Sequence, residues 1–142
     1  MGPGGKGTKS GKTYEDIIET AIKSNYGENY KKQINIGESL FGGNYRADFI
    51  LNENIIISAK WQQVSGTAEQ KILYDVASLI KIIDESKGKF IKGYIVIGGE
   101  GFSDKAKKFL LSQNHKNYFN NGDKVIILTI DKFVALANNK EL

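Results

Sequence analysis

The chain has 142 residues, 40% of them hydrophobic, and a net charge of +4 at pH 7, which sizes it for one domain around one ordinary core. It holds no cysteine and a single histidine, His115, excluding disulfides, thiolate chemistry and any metal site built on two histidines of one chain. No apolar run approaches the ~20 residues that span a bilayer, and the glycine-rich start lacks the apolar centre of a signal peptide, so a soluble, cytoplasmic protein is expected.

Residues 1–12 (MGPGGKGTKSGK) read as a flexible basic arm carrying Lys6, Lys9 and Lys12, with the domain proper over 13–142. A helix is predicted from about Thr13, because Tyr14, Ile17, Ile18, Ala21 and Ile22 follow helical spacing and Asn25 to Gly27 end it. Glu15 lies one turn before Ile18, beside this apolar stripe, whereas Asp16, Glu19 and Lys23 point outward. A short strand at 32–36 and a Gly-rich loop from Gly37 to Gly43 lead into two apolar strands around Asp48 and Lys60.

These two strands carry the most informative residues. Asn52-Glu53-Asn54 is a turn cluster suited to a hairpin. Side chains alternate along a strand, so Ser58 and Lys60 share one face, and the hairpin returns Asp48 alongside them. A carboxylate, a hydroxyl and an amine then converge at one sheet edge. The alternative is a half-exposed Asp–Lys ion pair, worth at most about 1 kcal/mol.

Ser65-Gly66 reads as a turn, with Thr67 capping a long helix whose apolar face comprises Ile72, Leu73, Val76, Leu79, Ile80 and Ile83. Glu69 is in register with Leu73, Val76 and Ile80, so its carboxylate leans inward at the helix start, within reach of the Lys60 strand. Residues 91–97 and 125–130 are nearly continuous apolar runs, as central strands covered on both faces are. Ser103 caps a helix through Leu111, and a last helix runs from about Asp131 to Ala137. Lys105, Lys107, Lys108, His115 and Lys116 form a second basic cluster, suited, like the arm, to a polyanion.

Two familiar patterns fail. Gly11-Lys12-Thr13 lacks the glycine five positions earlier that a phosphate-binding loop requires, since Lys6 stands there. Gly98-Gly99-Glu100-Gly101 has Asp104 where a dinucleotide fingerprint needs its third glycine, and is read as a turn.

With Asp48 on one strand, Ser58-Ala59-Lys60 and Gln62 on the next, Glu69 and Gln70 on the following helix and Glu15 on the first helix, the chain resembles the PD-(D/E)xK nuclease superfamily. The resemblance implies a restriction-endonuclease-like α/β domain, with an αβββαβ core and a mixed central sheet flanked by helices. Lys60-Trp61-Gln62 looks like the family's Lys-x-Gln extension, and Gln70 to Tyr74 fits a Gln-x-x-x-Tyr helix motif of its recombination-exonuclease branch. Ala47 stands in place of the motif proline. Ser58 stands in place of the second acid, and Glu69 is the expected substitute for it.

The resemblance further implies metal-dependent phosphodiester hydrolysis. Asp48, Glu69 and Glu15 are the expected ligands of Mg2+, with Mn2+ as a substitute, and Lys60, Ser58 and Gln62 the expected partners of water and phosphate. DNA is the expected substrate. Lys6, Lys9, Lys12, Lys105, Lys107, Lys108 and the loop from Leu40 to Tyr45 are its expected contacts, and a homodimer or larger symmetric assembly is expected if both strands are cut. Within this reading a restriction-type endonuclease leads, with a Holliday junction resolvase or compact homing endonuclease as alternatives. A catalytically degenerate DNA-binding module is the alternative from a different class.

Overall fold

Five strands lie side by side in chain order in one sheet: β1 (Tyr30–Glu38), β2 (Asn44–Leu51), β3 (Ile55–Trp61), β4 (Lys92–Gly98) and β5 (Val125–Thr129). The first three are antiparallel neighbours, and β3, β4 and β5 run parallel. Helices α1 (Pro3–Tyr26), α2 (Ala68–Glu85), α3 (Asp104–Leu111) and α4 (Ile130–Asn138) flank this mixed sheet. The computed structural model describes the backbone of residues 3–62 and 68–142, and the side chains of 12–62 and 69–142. The turn at Ser65-Gly66 and the cap at Thr67 lie outside the described residues.

Alternation in β4 shows why both faces must be covered. Tyr94 and Val96 join one buried cluster with Ile18 and Ile22 of α1 and Phe133 of α4, while Ile95 and Ile97 join the other with Val76 and Leu79 of α2 and Leu110 of α3. The apolar run Tyr94 to Ile97 is thereby buried on both sides. Among the described residues no helix is long and apolar enough to cross a membrane.

Three expectations need correction. The first helix begins at Pro3, not Thr13: once Tyr14, Ile18 and Ile22 anchor it, each upstream residue only propagates an existing helix. His115 is fully buried, so it belongs to no basic surface. Its Nε2–H points at the carbonyls of Gly122 and Val125, at 3.0 and 2.7 Å, and ties a 3-10 turn (Asn114–Asn117) to β5. Ile17, expected in the buried stripe of α1, is 45% exposed.

Candidate active site

The paired ladder between β2 and β3 runs from Leu51↔Ile55 to Phe49↔Ile57 and stops there. Asp48 and Ser58, the next residues, are the first beyond it. Asp48 stands where the strands part, and its Oδ2 accepts the Ala59 N–H at 2.7 Å, replacing the strand carbonyl that β3 lacks. Gln33 of β1, held at φ 51°, reaches the other oxygen of Asp48 at 3.4 Å. The alternation of β2 slips here: Tyr45, Ala47 and Ile50 face α2, whereas Phe49 and Leu51 face α1. The slip frees the carboxylate from strict registry with either core.

From the α1 side, Glu15 meets this carboxylate, and the two share a hydrogen bond. Burial, the hydrogen bond and the charge of Asp48 together push the Glu15 carboxyl up to about 7. Beside the pair opens a cavity of about 530 Å³ lined by Lys12, Glu15, Lys32, Gln33, Ala59 and Trp61, among others. Its rim is ordered by Glu19, which accepts from Tyr30 Oη at 2.6 Å and pairs with Lys32 at 2.9 Å. These contacts, Tyr30 foremost, hold the Glu19 carboxyl below its usual range.

A second group lies on the α2 face of the same sheet end. Ser58 is buried, with its Oγ 3.2 Å from Tyr45 Oη. The Lys60 ammonium pairs with Asp75 of α2 at 3.1 Å and lies 6.0 Å from the centre of the Tyr45 ring. Burial raises the Tyr45 phenol, and the carboxylates of Asp75 and Asp48 raise it further. Tyr45 thus senses both acids, with Ser58 as its buried partner.

A family model described as the PD-(D/E)XK nuclease superfamily domain matches residues 6–141. The chain belongs to the PD-(D/E)XK nuclease superfamily. Its α/β architecture is a restriction-endonuclease-like fold, with the αβββαβ core and mixed sheet expected from the order of elements. No curated protein matches the chain. Among solved structures it is similar to the crystal structure of a protein of unknown function, AF1548, at 15% identity and a TM-score of 0.44. That match covers 82% of this chain and spans 57% of the other.

The PD-(D/E)XK candidate residues fall into three places. Glu15 and Asp48 meet at the strand fork. Ser58 and Lys60 project to the α2 face, where the acid beside Lys60 is Asp75. Glu69, expected with Asp48, instead accepts from the Ser103 backbone N–H at 2.6 Å and approaches Ser103 Oγ at 3.4 Å. It thereby places its charge at the N-terminus of α3, where an anion is favoured. Among the described residues no three acidic, histidine or cysteine side chains gather as a metal site, so Glu15, Asp48 and Glu69 do not form the expected triad.

Gln62 marks the end of β3. Its N–H bonds the Gly98 carbonyl at 2.9 Å, and its carbonyl accepts from Gly101 at 2.7 Å. Lys105 and Lys108 are exposed on α3 and Lys107 half-buried, and Lys12 is exposed near the cavity. The backbone of Lys6 and Lys9 is helical, and their side chains lie outside the described residues. Sequence reading missed Asp75, and named Tyr45 only as the end of a DNA-contacting loop, not as the partner of Ser58 and Lys60. Asp75 left a signal: three residues after Ile72 and four before Leu79, it sits within the apolar stripe of α2, where a carboxylate needs a cation.

Proposed function

We propose that the chain is a divalent-metal-dependent DNA endonuclease of the restriction type, hydrolysing phosphodiester bonds at the fork between β2 and β3. The observation that carries this is the Glu15–Asp48 pair, two carboxylates from separate elements brought together against their mutual repulsion. The donor set suits Mg2+, which takes one or two carboxylates and fills its remaining positions with water and substrate phosphate. Bound there, the cation supplies charge neutralisation at the scissile phosphate and a lowered pKa for water.

The chain's own residues have distinct tasks on this reading. Asp48, fixed by the Ala59 N–H, and Glu15, ionised, would together hold the cation. Lys60, restrained by Asp75, contributes a fixed positive charge toward the phosphate and transition state. Gln62 orients water or phosphate from the end of β3. Ser58, its hydroxyl bonded to Tyr45, acts through Tyr45 rather than on the cation, and Glu69 serves the N-terminus of α3. Lys12, Lys105, Lys107 and Lys108 contact the DNA backbone. Cutting both strands calls for two copies of this single-site domain.

The test is cleavage of plasmid, linear duplex and four-way-junction DNA with Mg2+ or Mn2+, comparing wild type with Asp48→Ala and Lys60→Ala. Discrete metal-dependent products, lost in both variants, support the proposal, and preference for the junction reassigns the chain to resolvase activity. A wild type that binds DNA without cutting it overturns the proposal in favour of a degenerate binding module.

A further inference from the structure

The turn between β1 and β2 presents the most exposed large apolar side chain among the described residues. Phe41 is 86% exposed. Small size and mobility do not explain this, because the turn is tightly held. Ser39 N–H bonds the Gly43 carbonyl at 2.7 Å, and Gly42 N–H bonds the Ser39 carbonyl at 3.0 Å, closing the turn on itself. Helix α2 then fastens it from outside. Leu40 N–H donates to Ser78 Oγ at 2.9 Å, Phe41 N–H donates to Tyr74 Oη at 3.2 Å, and Tyr74 Oη donates to Ser39 Oγ at 3.0 Å. Ser78 is itself fully buried, so its hydroxyl is committed to this loop.

The Phe41 ring rests with its centre 5.0 Å from that of Tyr74, tilted by 47°. A free loop would turn such a ring inward; this one holds it in solvent. The position is equally informative. The turn feeds directly into Asn44 and Tyr45, and the Tyr45 ring neighbours Lys60. Tyr74, which fastens the turn, immediately precedes Asp75, which holds Lys60. One turn of α2 therefore fixes both the lysine and the aromatic tip at the same end of the sheet. A preorganised aromatic face at the sheet end that carries Lys60 matches a base attached to a phosphate backbone: aromatic side chains stack on unpaired bases regardless of sequence, and in a duplex they wedge against a base at a partly unstacked step.

We propose that Phe41 stacks on a nucleobase of the bound DNA next to the site of cleavage, with Tyr74 and Ser78 as the struts that hold it outward. The inference rests on the nuclease reading above and deepens it by naming a base-contacting residue. Flanking Gly42, at φ 97°, takes the left-handed conformation that lets the turn close.

The test uses fluorescein-labelled duplexes carrying 2-aminopurine at successive positions, with Ca2+ in place of Mg2+, and wild type, Phe41→Ala and Phe41→Trp. Wild type and Phe41→Trp should alter 2-aminopurine emission at one or two adjacent positions. Phe41→Ala should lose that change and bind about tenfold more weakly, as loss of one stacked base predicts. Equal emission and affinity for Phe41→Ala and wild type overturn the proposal. So does a Phe41→Ala effect confined to oligomeric state by light scattering, which assigns the tip to a protein contact. A Phe41-dependent signal from a protein that never cleaves keeps the base contact but removes the nuclease reading and with it the placement beside a cleavage site; no DNA binding by wild type removes both.

Discussion

Glu15 retains its proton to about pH 7 because it is partly buried against Asp48. In the unfolded chain the same carboxyl releases its proton near its ordinary value of 4.5. Between those values the folded state binds more protons than the unfolded one, so without metal its stability falls as pH rises through this window. Glu15→Gln should flatten that slope in thermal unfolding under EDTA, and raise the melting temperature above wild type at pH 8. Added Mg2+ should also reduce the slope in wild type, because a bound cation favours the ionised pair. An unchanged slope in Glu15→Gln would place the pH dependence elsewhere. At Lys60 the balance differs: its pairing with Asp75 is over a third exposed at the lysine and contributes no more than about 1 kcal/mol. Lys60→Ala should therefore leave the melting temperature within a few degrees of wild type while abolishing cleavage, which separates a chemical role from a structural one.

The elements around β3 depend on two glycines at the end of β4. A Cβ at Gly98 would lie 2.6 Å from the Tyr14 ring, and one at Gly99 would lie 2.2 Å from the Gln62 carbonyl oxygen. Gly99 also has φ 94°. The glycines thus let α1 and the end of β3 close upon β4, and they explain by packing a segment that superficially resembles a cofactor loop. Gly99→Ala should cost about 1–3 kcal/mol from backbone strain alone, with more from the clash, and should lower activity by displacing Gln62; denaturant unfolding measures the first and cleavage rate the second. Glu69 acts between elements too. Glu69→Gln keeps the shape but removes the charge at the start of α3, and should destabilise by about 0.5–1 kcal/mol with cleavage retained; loss of cleavage at unchanged stability would restore Glu69 to the chemistry.

At the scale of the molecule, the order of helices and strands was legible because periodicity and turn residues are local. The Asp48 and Lys60 strands, the Ser103 cap and the interior strand β4 follow from pattern, whereas the run at 125–130, read as a second central strand, forms β5 at the edge of the sheet. Partnerships across elements were less legible. Glu69 was read as leaning inward toward the Lys60 strand, yet the partner it meets is the Ser103 backbone at the start of α3, set by how two helices approach. Asp75 was passed over because one acid within an apolar stripe has no visible cation until the sheet is assembled. The slip at Asp48 was likewise hidden, since alternation along β2 looks regular until it is set against both cores. If the basic surface does engage DNA, affinity should fall steeply with salt. Charge reversal at Lys105 and Lys108 should reduce that salt slope, measured by titration at several ionic strengths.

The fork between β2 and β3 makes the chemistry conditional. Glu15 and Asp48 are 33 positions apart in the chain and meet only when α1 has docked on a sheet whose third strand depends on β4. On the proposed reading, a nascent or partly unfolded copy would carry the reactive groups without the arrangement that lets them act on DNA. Cleavage, if the proposal holds, would then report whether α1 is docked on the sheet in a given molecule.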